Sequence, residues 1–223
     1  MHRPPLIPGW ALPELFMTRN ANLVLLPCLA AAVVATTSSA AIIVFTNEFV
    51  WDNYATASDA AMYTETFESY NGFYGSPLAG SIGGVNWSAA APGGIFVGAV
   101  GSSQALSTNA PEPMTISFTG LAVQGVAGNI YGTDINFSVV PSIVQLSMQD
   151  GTSYIGFVDS ATAFVGFYST TSAITAITIS AQPLPGGTND VFATFDNMTF
   201  AVVPAPSAIA LLGLAGLAGR RRR

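Results

Sequence analysis

Apolar and polar residues alternate along the middle of the chain. The alternation is clear in Thr115–Thr119, Asp134–Val139 and Ile174–Ile179, and a period of two is that of a β-strand with one buried face. Runs rich in Val, Ile, Thr, Phe and Tyr are separated by Gly, Pro, Asn and Asp about every ten residues, and no long segment has the helical period. The pattern predicts an all-β domain of about nine to eleven strands, arranged as a single antiparallel β-sandwich.

The clearest local unit is the segment Ile143–Val158. Two alternating runs flank Asp150 and Gly151, a pair that readily adopts the positive dihedral angles of a tight turn. The segment is therefore predicted to be an antiparallel hairpin.

Further strands are expected on both sides of this hairpin. Ala163–Tyr168 and Ile174–Ile179 follow it as a second predicted pair, and Val191–Val202 as a final long strand. The glycine-rich segment Gly80–Gly101 is expected to be the loosest part, with loops between short strands near Val85–Ser88 and Ile95–Val100.

The C-terminal end carries three consecutive sorting features. A proline motif precedes an apolar run over 208–219, and four arginines close the chain. The run has 12 residues, or 19 when counted from Ala201 through the prolines, which is close to the lower limit of about 17 residues for spanning a bilayer. The arginines would stay on the cytoplasmic side. The residues are Val203, Pro204, Ala205, Pro206 and Ser207 in the motif, and Arg220, Arg221, Arg222 and Arg223 in the cluster.

The N-terminal end has the features of a secretory signal peptide. Arg19 supplies positive charge, Leu23–Val34 is an apolar core, and Ser38 and Ala40 fit the small-x-small pattern of a cleavage site. Met17 stands directly before this signal and is the expected start of translation. The predicted division is an extension over 1–16, a signal peptide over 17–40, the β-domain over 41–203 and a sorting and membrane-stop segment over 204–223.

The tail resembles the PEP-CTERM signal, which is sometimes labelled the C-terminal domain of ice-binding proteins. Ala205 stands where the family's signal usually has a glutamate. The resemblance implies export through the secretory translocon, processing by an exosortase, and a destination at the cell surface or in the extracellular matrix. An ordinary C-terminal membrane anchor is the alternative.

Motifs in the second half of the chain extend the resemblance. In their order they look like the jelly-roll sandwich domains found before PEP-CTERM signals, which implies a fold and a setting, not an activity. They are Phe118-Thr119-Gly120, Gly128-Asn129-Ile130-Tyr131-Gly132, Asp150-Gly151, Phe164-Val165-Gly166-Phe167, Ile174-Thr175-Ala176-Ile177 and Phe195-Asp196-Asn197-Met198-Thr199-Phe200.

The predicted β-domain has no basic side chain and no cysteine. The whole chain has a net charge of −6, but its arginines, its single histidine and its single cysteine all lie outside 41–203, whereas eleven of its twelve carboxylates lie inside. Nucleic-acid binding needs Lys and Arg, nucleophilic mechanisms normally need His or Lys, and catalytic zinc usually needs His. What remains is carboxylate chemistry such as glycoside hydrolysis, or a hard cation held by oxygen atoms.

Two interpretations stay open for the carboxylates at the two ends of the domain. Glu68 lies near its start, and Asp196 and Asn197 near its end, so a sandwich can bring them together. They are either solvated surface groups with Asn197 in a turn, or ligands of a structural calcium ion. No other cofactor is expected.

Aromatic residues concentrate in the first half of the domain. Most are expected to fill the core, and Trp51, Tyr70 and Tyr74 are the candidates for stacking on a sugar. The favoured interpretation is a non-enzymatic exported protein that binds neutral polysaccharide or serves as a matrix component. The alternative is a carboxylate-dependent enzyme that processes glycans, using Glu65, Glu68 and Asp196; however, Glu65 and Glu68 on one strand would point to opposite faces.

Overall fold

The computed structural model describes residues 42–187 and 190–203. The predicted extension, signal peptide and cleavage site, and the sorting segment from Pro204 onward, lie outside them. The elements are β1 (Ile42–Phe45), α1 (Glu48–Ala57), β2 (Ala61–Glu65), β3 (Gly72–Tyr74), β4 (Leu78–Ile82), β5 (Val85–Ala90), β6 (Ile95–Val100), β7 (Ser103–Thr108), β8 (Met114–Gly120), β9 (Val123–Thr133), β10 (Val139–Val140), β11 (Ser142–Met148), β12 (Ser153–Val158), β13 (Phe164–Ser169), β14 (Ala176–Pro183) and β15 (Phe192–Val202).

The strands form two antiparallel sheets, which confirms the predicted all-β sandwich. The nine-stranded sheet has the order β1-β13-β9-β15-β7-β6-β3, with β10 paired to β9 and β2 paired to β15. The six-stranded sheet has the order β12-β11-β14-β8-β5-β4. Fifteen strands are present in the described residues, more than predicted, because several are short.

Alternating burial along the strands shows why this sequence forms a two-layer core. In β11, Val144, Leu146 and Met148 are buried while the residues between them are half-buried. The core between the sheets includes Ile116 from β8 and Phe195 from β15. Full burial of each such side chain stabilises the fold by about 1.5–3 kcal/mol.

The helix α1 was not predicted, and it covers the outer side of the nine-stranded sheet. It begins after Asn47, whose side chain accepts a hydrogen bond from the Val50 amide at 3.1 Å. Its buried residues are Trp51 and Ala55, one turn apart. This is too short an apolar stripe to stand out in the sequence.

Two glycines make the surface on which α1 packs. A Cβ atom at Gly166 would lie 2.5 Å from Trp51 Cδ1, and one at Gly125 would lie 3.0 Å from the same ring. The indole N–H donates to the Phe167 carbonyl oxygen at 3.2 Å. Trp51 therefore anchors the helix in a second, smaller core on this side of the sheet.

The predicted hairpin and the predicted last strand are confirmed. Strands β11 and β12 pair around the Asp150-Gly151 turn, in which Gly151 has φ +89°. The last strand, β15, covers most of the predicted segment Val191–Val202.

Two other strand predictions are wrong. Strands β13 and β14 do not pair with each other, because β13 joins the nine-stranded sheet and β14 the six-stranded sheet. The segment Asp134–Val139 is largely a turn, since Asp134 Oδ1 accepts hydrogen bonds from the amides of Asn136 and Ser138. A carboxylate that caps nearby amides favours a turn over continuation of a strand.

The strands predicted near Val85–Ser88 and Ile95–Val100 are confirmed as β5 and β6, but the expectation that Gly80–Gly101 is the loosest part is wrong. Strands β4, β5 and β6 occupy most of it. At Gly80 the missing side chain makes room for a neighbouring ring, because a Cβ there would lie 2.5 Å from Trp87. This glycine serves packing, not a loop.

In the described part of the chain no helix is both long enough and apolar enough to cross a membrane.

Candidate functional site

The six-stranded sheet is built without charged residues. Within the described part of the chain, none of its six strands contains Asp, Glu, Lys, Arg or His. Because successive side chains alternate between the two sides of a strand, the polar members of these strands collect on the side that faces away from the core. We call this side the hydroxyl face; its polar residues are Ser81, Asn86, Ser88, Thr115, Ser117, Thr119, Gln145, Ser147, Ser153, Thr178, Ser180 and Gln182.

The strand register aligns these side chains in rows across the sheet. Ser88 lies opposite Ser117, and Asn86 lies between Ser81 and Thr119. Neighbouring strands are about 4.8 Å apart, and same-side residues on one strand about 6.7 Å apart. The central strands of the face thus carry rows of hydroxyl and amide groups, whereas at the β12 edge the exposed Ile155 and Phe157 lie on the same side.

A groove of about 510 Å³ crosses β4, β5 and β8 on the hydroxyl face. Its polar lining comes from Ser81, Asn86, Ser88, Ser117 and Thr119. A second depression of about 460 Å³ includes Ala90 and Thr115, further along β5 and β8.

The two depressions follow the same pair of strands. From Asn86 to Ala90 the strand rises about 13 Å. This length suits a segment of a polymer better than a single sugar ring.

Buried aromatic rings support the groove from beneath. Trp87 is 1% exposed, and its ring lies 5.6 Å from that of Phe67 and 5.8 Å from that of Tyr70. The rings pack edge to face and join β5 to the segment between β2 and β3.

The structure changes the prediction of a sugar-stacking site. The prediction is wrong for Trp51, whose indole is fully buried under α1. Tyr70 and Tyr74 are half-buried neighbours with ring centroids 6.0 Å apart, at an angle of 75°. Because the two rings are nearly perpendicular, they do not present one flat platform.

The carboxylates Glu68 and Asp196, separated in sequence, lie beside the same serine. Ser103 Oγ donates to Glu68 Oε1 at 3.0 Å, and the Ser103 side chain also hydrogen-bonds to Asp196. Asn197, the third residue of the predicted calcium site, donates from its amide to Asn129 Oδ1 at 3.0 Å. The sandwich therefore gathers these predicted residues at one place.

Burial, the largest cause, raises the pKa of Asp196 above its usual value, and the nearby charge of Glu68 adds to the increase. Hydrogen bonds from the Asn197 amide and from Ser103 act in the opposite direction. Glu65 uses its Oε1 to accept from the Phe67 amide at 3.0 Å. Among the described residues no group of three or more His, Cys, Asp or Glu is arranged to hold a metal ion.

Comparison with known proteins assigns no family to this chain. No protein-family model matches the chain, and no curated protein matches it. Two mutants of the family 29 carbohydrate-binding module CBM29-2 align over 64% of this chain and over 92% and 91% of their own, with 8% identity and TM-scores of 0.33 and 0.32.

A rhamnosidase from Klebsiella oxytoca with rhamnose bound aligns over 72% of this chain and 33% of its own, with 8% identity and a TM-score of 0.31. Similarity at this level carries no information about function.

The hydroxyl face was not predicted from the sequence, although a signal for it exists. Serine and threonine take the polar positions in Thr115–Thr119 and Thr178–Ser180, where surface strands often carry charged residues. The choice of neutral over charged polar residues in these alternating segments is the pattern that indicates the face.

Proposed function

We propose that this chain is an exported, non-enzymatic protein whose hydroxyl face binds a neutral polysaccharide. The observation that carries the proposal is the uncharged groove across β4, β5 and β8, in which serine, threonine and asparagine side chains lie beside Ala79, Gly80 and Trp87. Hydroxyl and amide groups both donate and accept hydrogen bonds. They match the hydroxyl groups of a sugar without needing an ionic partner.

The charge of the domain supports a neutral ligand. The described residues contain carboxylates but no Lys, Arg or His. An anionic polymer would be repelled by the domain as a whole and would find no guanidinium or ammonium group to bind it. A neutral polymer meets neither obstacle.

The export part of the proposal rests on the two ends of the chain. The N-terminal signal pattern and the PEP-CTERM-like tail support delivery through the translocon, and processing by an exosortase-type enzyme. The site of action would then be the cell surface or the extracellular matrix, with the C-terminal segment in the membrane at least during export.

The arrangement of carboxylates favours binding over hydrolysis. A glycosidase needs two carboxyl groups about 5–9.5 Å apart across a cleft. The strands of the hydroxyl face carry none, and Asp196 on the other sheet is only 6% exposed. No observation favours the enzymatic alternative.

The proposal is tested by measuring binding of the full-length chain to matched neutral and uronic-acid polysaccharides. We expect binding to neutral polymers, with an affinity that is nearly the same at low and high salt, because no ion pair is screened. Binding only to anionic polymers, or an affinity that falls steeply with salt, would contradict the proposal.

The same preparations distinguish binding from catalysis. We expect no release of shorter sugars from a bound polymer, and unchanged binding in a variant that combines Glu65→Gln, Glu68→Gln and Asp196→Asn. Sugar release by the native chain that disappears in this variant would support the enzyme instead.

A further inference from the structure

Strand β15 has two successive partners along one edge, first β7 and then β2. An acidic site lies between these two partners, and we call this place the fork. Strand β15 pairs with β7 at Thr194 and Phe195, and with β2 from Met198 onward. Between these two partners the register with β9 shifts after Asp196, and Asn197 has φ +52°. Asp196 therefore lies where the pairing of β15 with β7 ends and its pairing with β2 begins.

One hydroxyl group serves two carboxylates at this fork. Ser103 Oγ is 3.0 Å from Glu68 Oε1 and is also hydrogen-bonded to the side chain of Asp196. A serine has a single O–H to donate. Ser103 can donate to only one of the two carboxylates at a time; the other donors to the pair are the backbone amides of Gln104 and Asn197.

No protein cation compensates for this pair of carboxylates. Throughout residues 42–187 and 190–203 there is no Lys, Arg or His. Two neighbouring carboxylates repel each other, and burial of one increases the free-energy penalty of its charge. A positive charge at the fork must come from outside the domain.

A buried hydroxyl without a partner lies on the same side of the sheet. Tyr131 is fully buried, and its hydroxyl oxygen has no hydrogen-bond partner. It pairs with Thr194, whereas Asp196 pairs with Asn129, so Tyr131 and Asp196 point to the same side, one row apart. The charge of Asp196 adds to burial in raising the pKa of Tyr131.

A second unpartnered atom belongs to a residue that contacts Glu68. The Gln104 amide donates to Glu68 Oε1 at 3.0 Å. The side-chain oxygen Oε1 of the same residue is buried and has no hydrogen-bond partner. Because successive side chains alternate along β7, this oxygen lies on the opposite side of the strand from Ser103 and is not part of the acidic site.

We propose that a hard divalent cation, with Ca²⁺ as the expected ion, binds at this fork through Asp196 and Glu68. Two carboxylates balance its charge, and Ca²⁺ accepts an all-oxygen set of ligands that includes hydroxyls, amide oxygens and water. The Tyr131 hydroxyl is satisfied by the ion or by one of its waters. The ion ties the segment after β2 to β15, a structural role separate from the hydroxyl face.

The experiment uses Tb³⁺ as a luminescent substitute for Ca²⁺ on the full-length chain. Excitation of tyrosine should produce sensitised Tb³⁺ emission that Ca²⁺ displaces, because Tyr131 lies close to Asp196. Glu68→Gln should weaken Tb³⁺ and Ca²⁺ binding about tenfold or more. Asp159→Asn, at an exposed loop carboxylate, is the matched control and should leave binding unchanged.

Thermal unfolding gives an independent measurement. Ca²⁺ should raise the Tm of the native chain in proportion to the logarithm of its concentration, and should raise it much less in Glu68→Gln and Asp196→Asn. Glu68 is exposed, so its variant should fold even if Asp196→Asn does not. Equal emission and equal Ca²⁺ response in the native chain and in Glu68→Gln would overturn the proposal.

A different result would also overturn it. If neither Ca²⁺ nor a chelator changes the Tm of the native chain, while Asp196→Asn is more stable than the native chain in chelator, the two carboxylates share a proton and bind no ion.

Discussion

Replacing Trp51 with alanine is expected to lower the free energy of unfolding by about 3–5 kcal/mol, the usual range for removal of a large buried aromatic side chain. The indole is fully buried, its ring fills the space over Gly125 and Gly166, and its N–H bonds to the Phe167 carbonyl oxygen. The loss is a large fraction of the roughly 5–15 kcal/mol that stabilises a typical domain. Denaturant unfolding followed by circular dichroism measures it.

Two further variants test whether the loss of stability is due to the buried indole. Phe49→Ala lies on the same helix but is 75% exposed, so its effect should stay within about 0.5 kcal/mol. Trp51→Phe should fall between the native chain and Trp51→Ala, and it provides a measurement if the alanine variant does not fold. A loss below about 1 kcal/mol for Trp51→Ala would mean that α1 contributes little to the fold.

A charged residue in the groove should have the largest effect on binding. Ser117→Glu is expected to weaken neutral-polysaccharide binding by at least about tenfold, equivalent to about 1.4 kcal/mol. Ser117 is exposed, lies opposite Ser88 in β5 and lines the groove. The longer glutamate would occupy the space of the polymer and would bring a hydrated charge that a sugar cannot neutralise. Calorimetry of the full-length chain with a neutral oligosaccharide measures the change.

The matched control places the same side chain on the opposite side of the sandwich. Thr46→Glu lies in the exposed bend between β1 and α1 and adds the same charge. It should leave the affinity unchanged within about twofold. If Ser117→Glu binds as well as Thr46→Glu, the groove is not the binding site.

Part of the fold could be predicted from local patterns, because burial of one side of a strand produces alternating apolar and polar residues in the sequence. Thr115–Thr119 alternates, and it forms β8 with Ile116 and Phe118 in the core. The Asp150-Gly151 turn is likewise a local signal, and its hairpin is present. These features need no knowledge of the remainder of the chain.

Strand partners could not be predicted in the same way. Strands β13 and β14 are consecutive in sequence and suggest a pair, yet each joins a different sheet. Their partners are fixed by contacts between residues far apart in sequence, which alternation alone does not encode. The helix α1 was missed for a related reason, since its stability comes from packing of Trp51 on distant glycines.

Part of the candidate site could likewise be predicted from the sequence, and part could not. The absence of basic residues was readable from composition and already pointed to a neutral ligand. The expected role of Trp51 was wrong, because a tryptophan near the start of the domain gives no sign of which side of a sheet it will pack against. The hydroxyl face required the topology, since β4, β5, β8, β14 and β11 become neighbours only in the folded sheet.

The most direct test of the hydroxyl face is an NMR titration of the full-length chain with a neutral oligosaccharide that it binds. The backbone amides of β5 and β8 and the side-chain amide of Asn86 should show the largest chemical-shift changes, while α1 and the nine-stranded sheet should show little change. Changes confined to α1, to the Glu68–Asp196 fork or to Tyr70 and Tyr74 would contradict the account and place the ligand elsewhere.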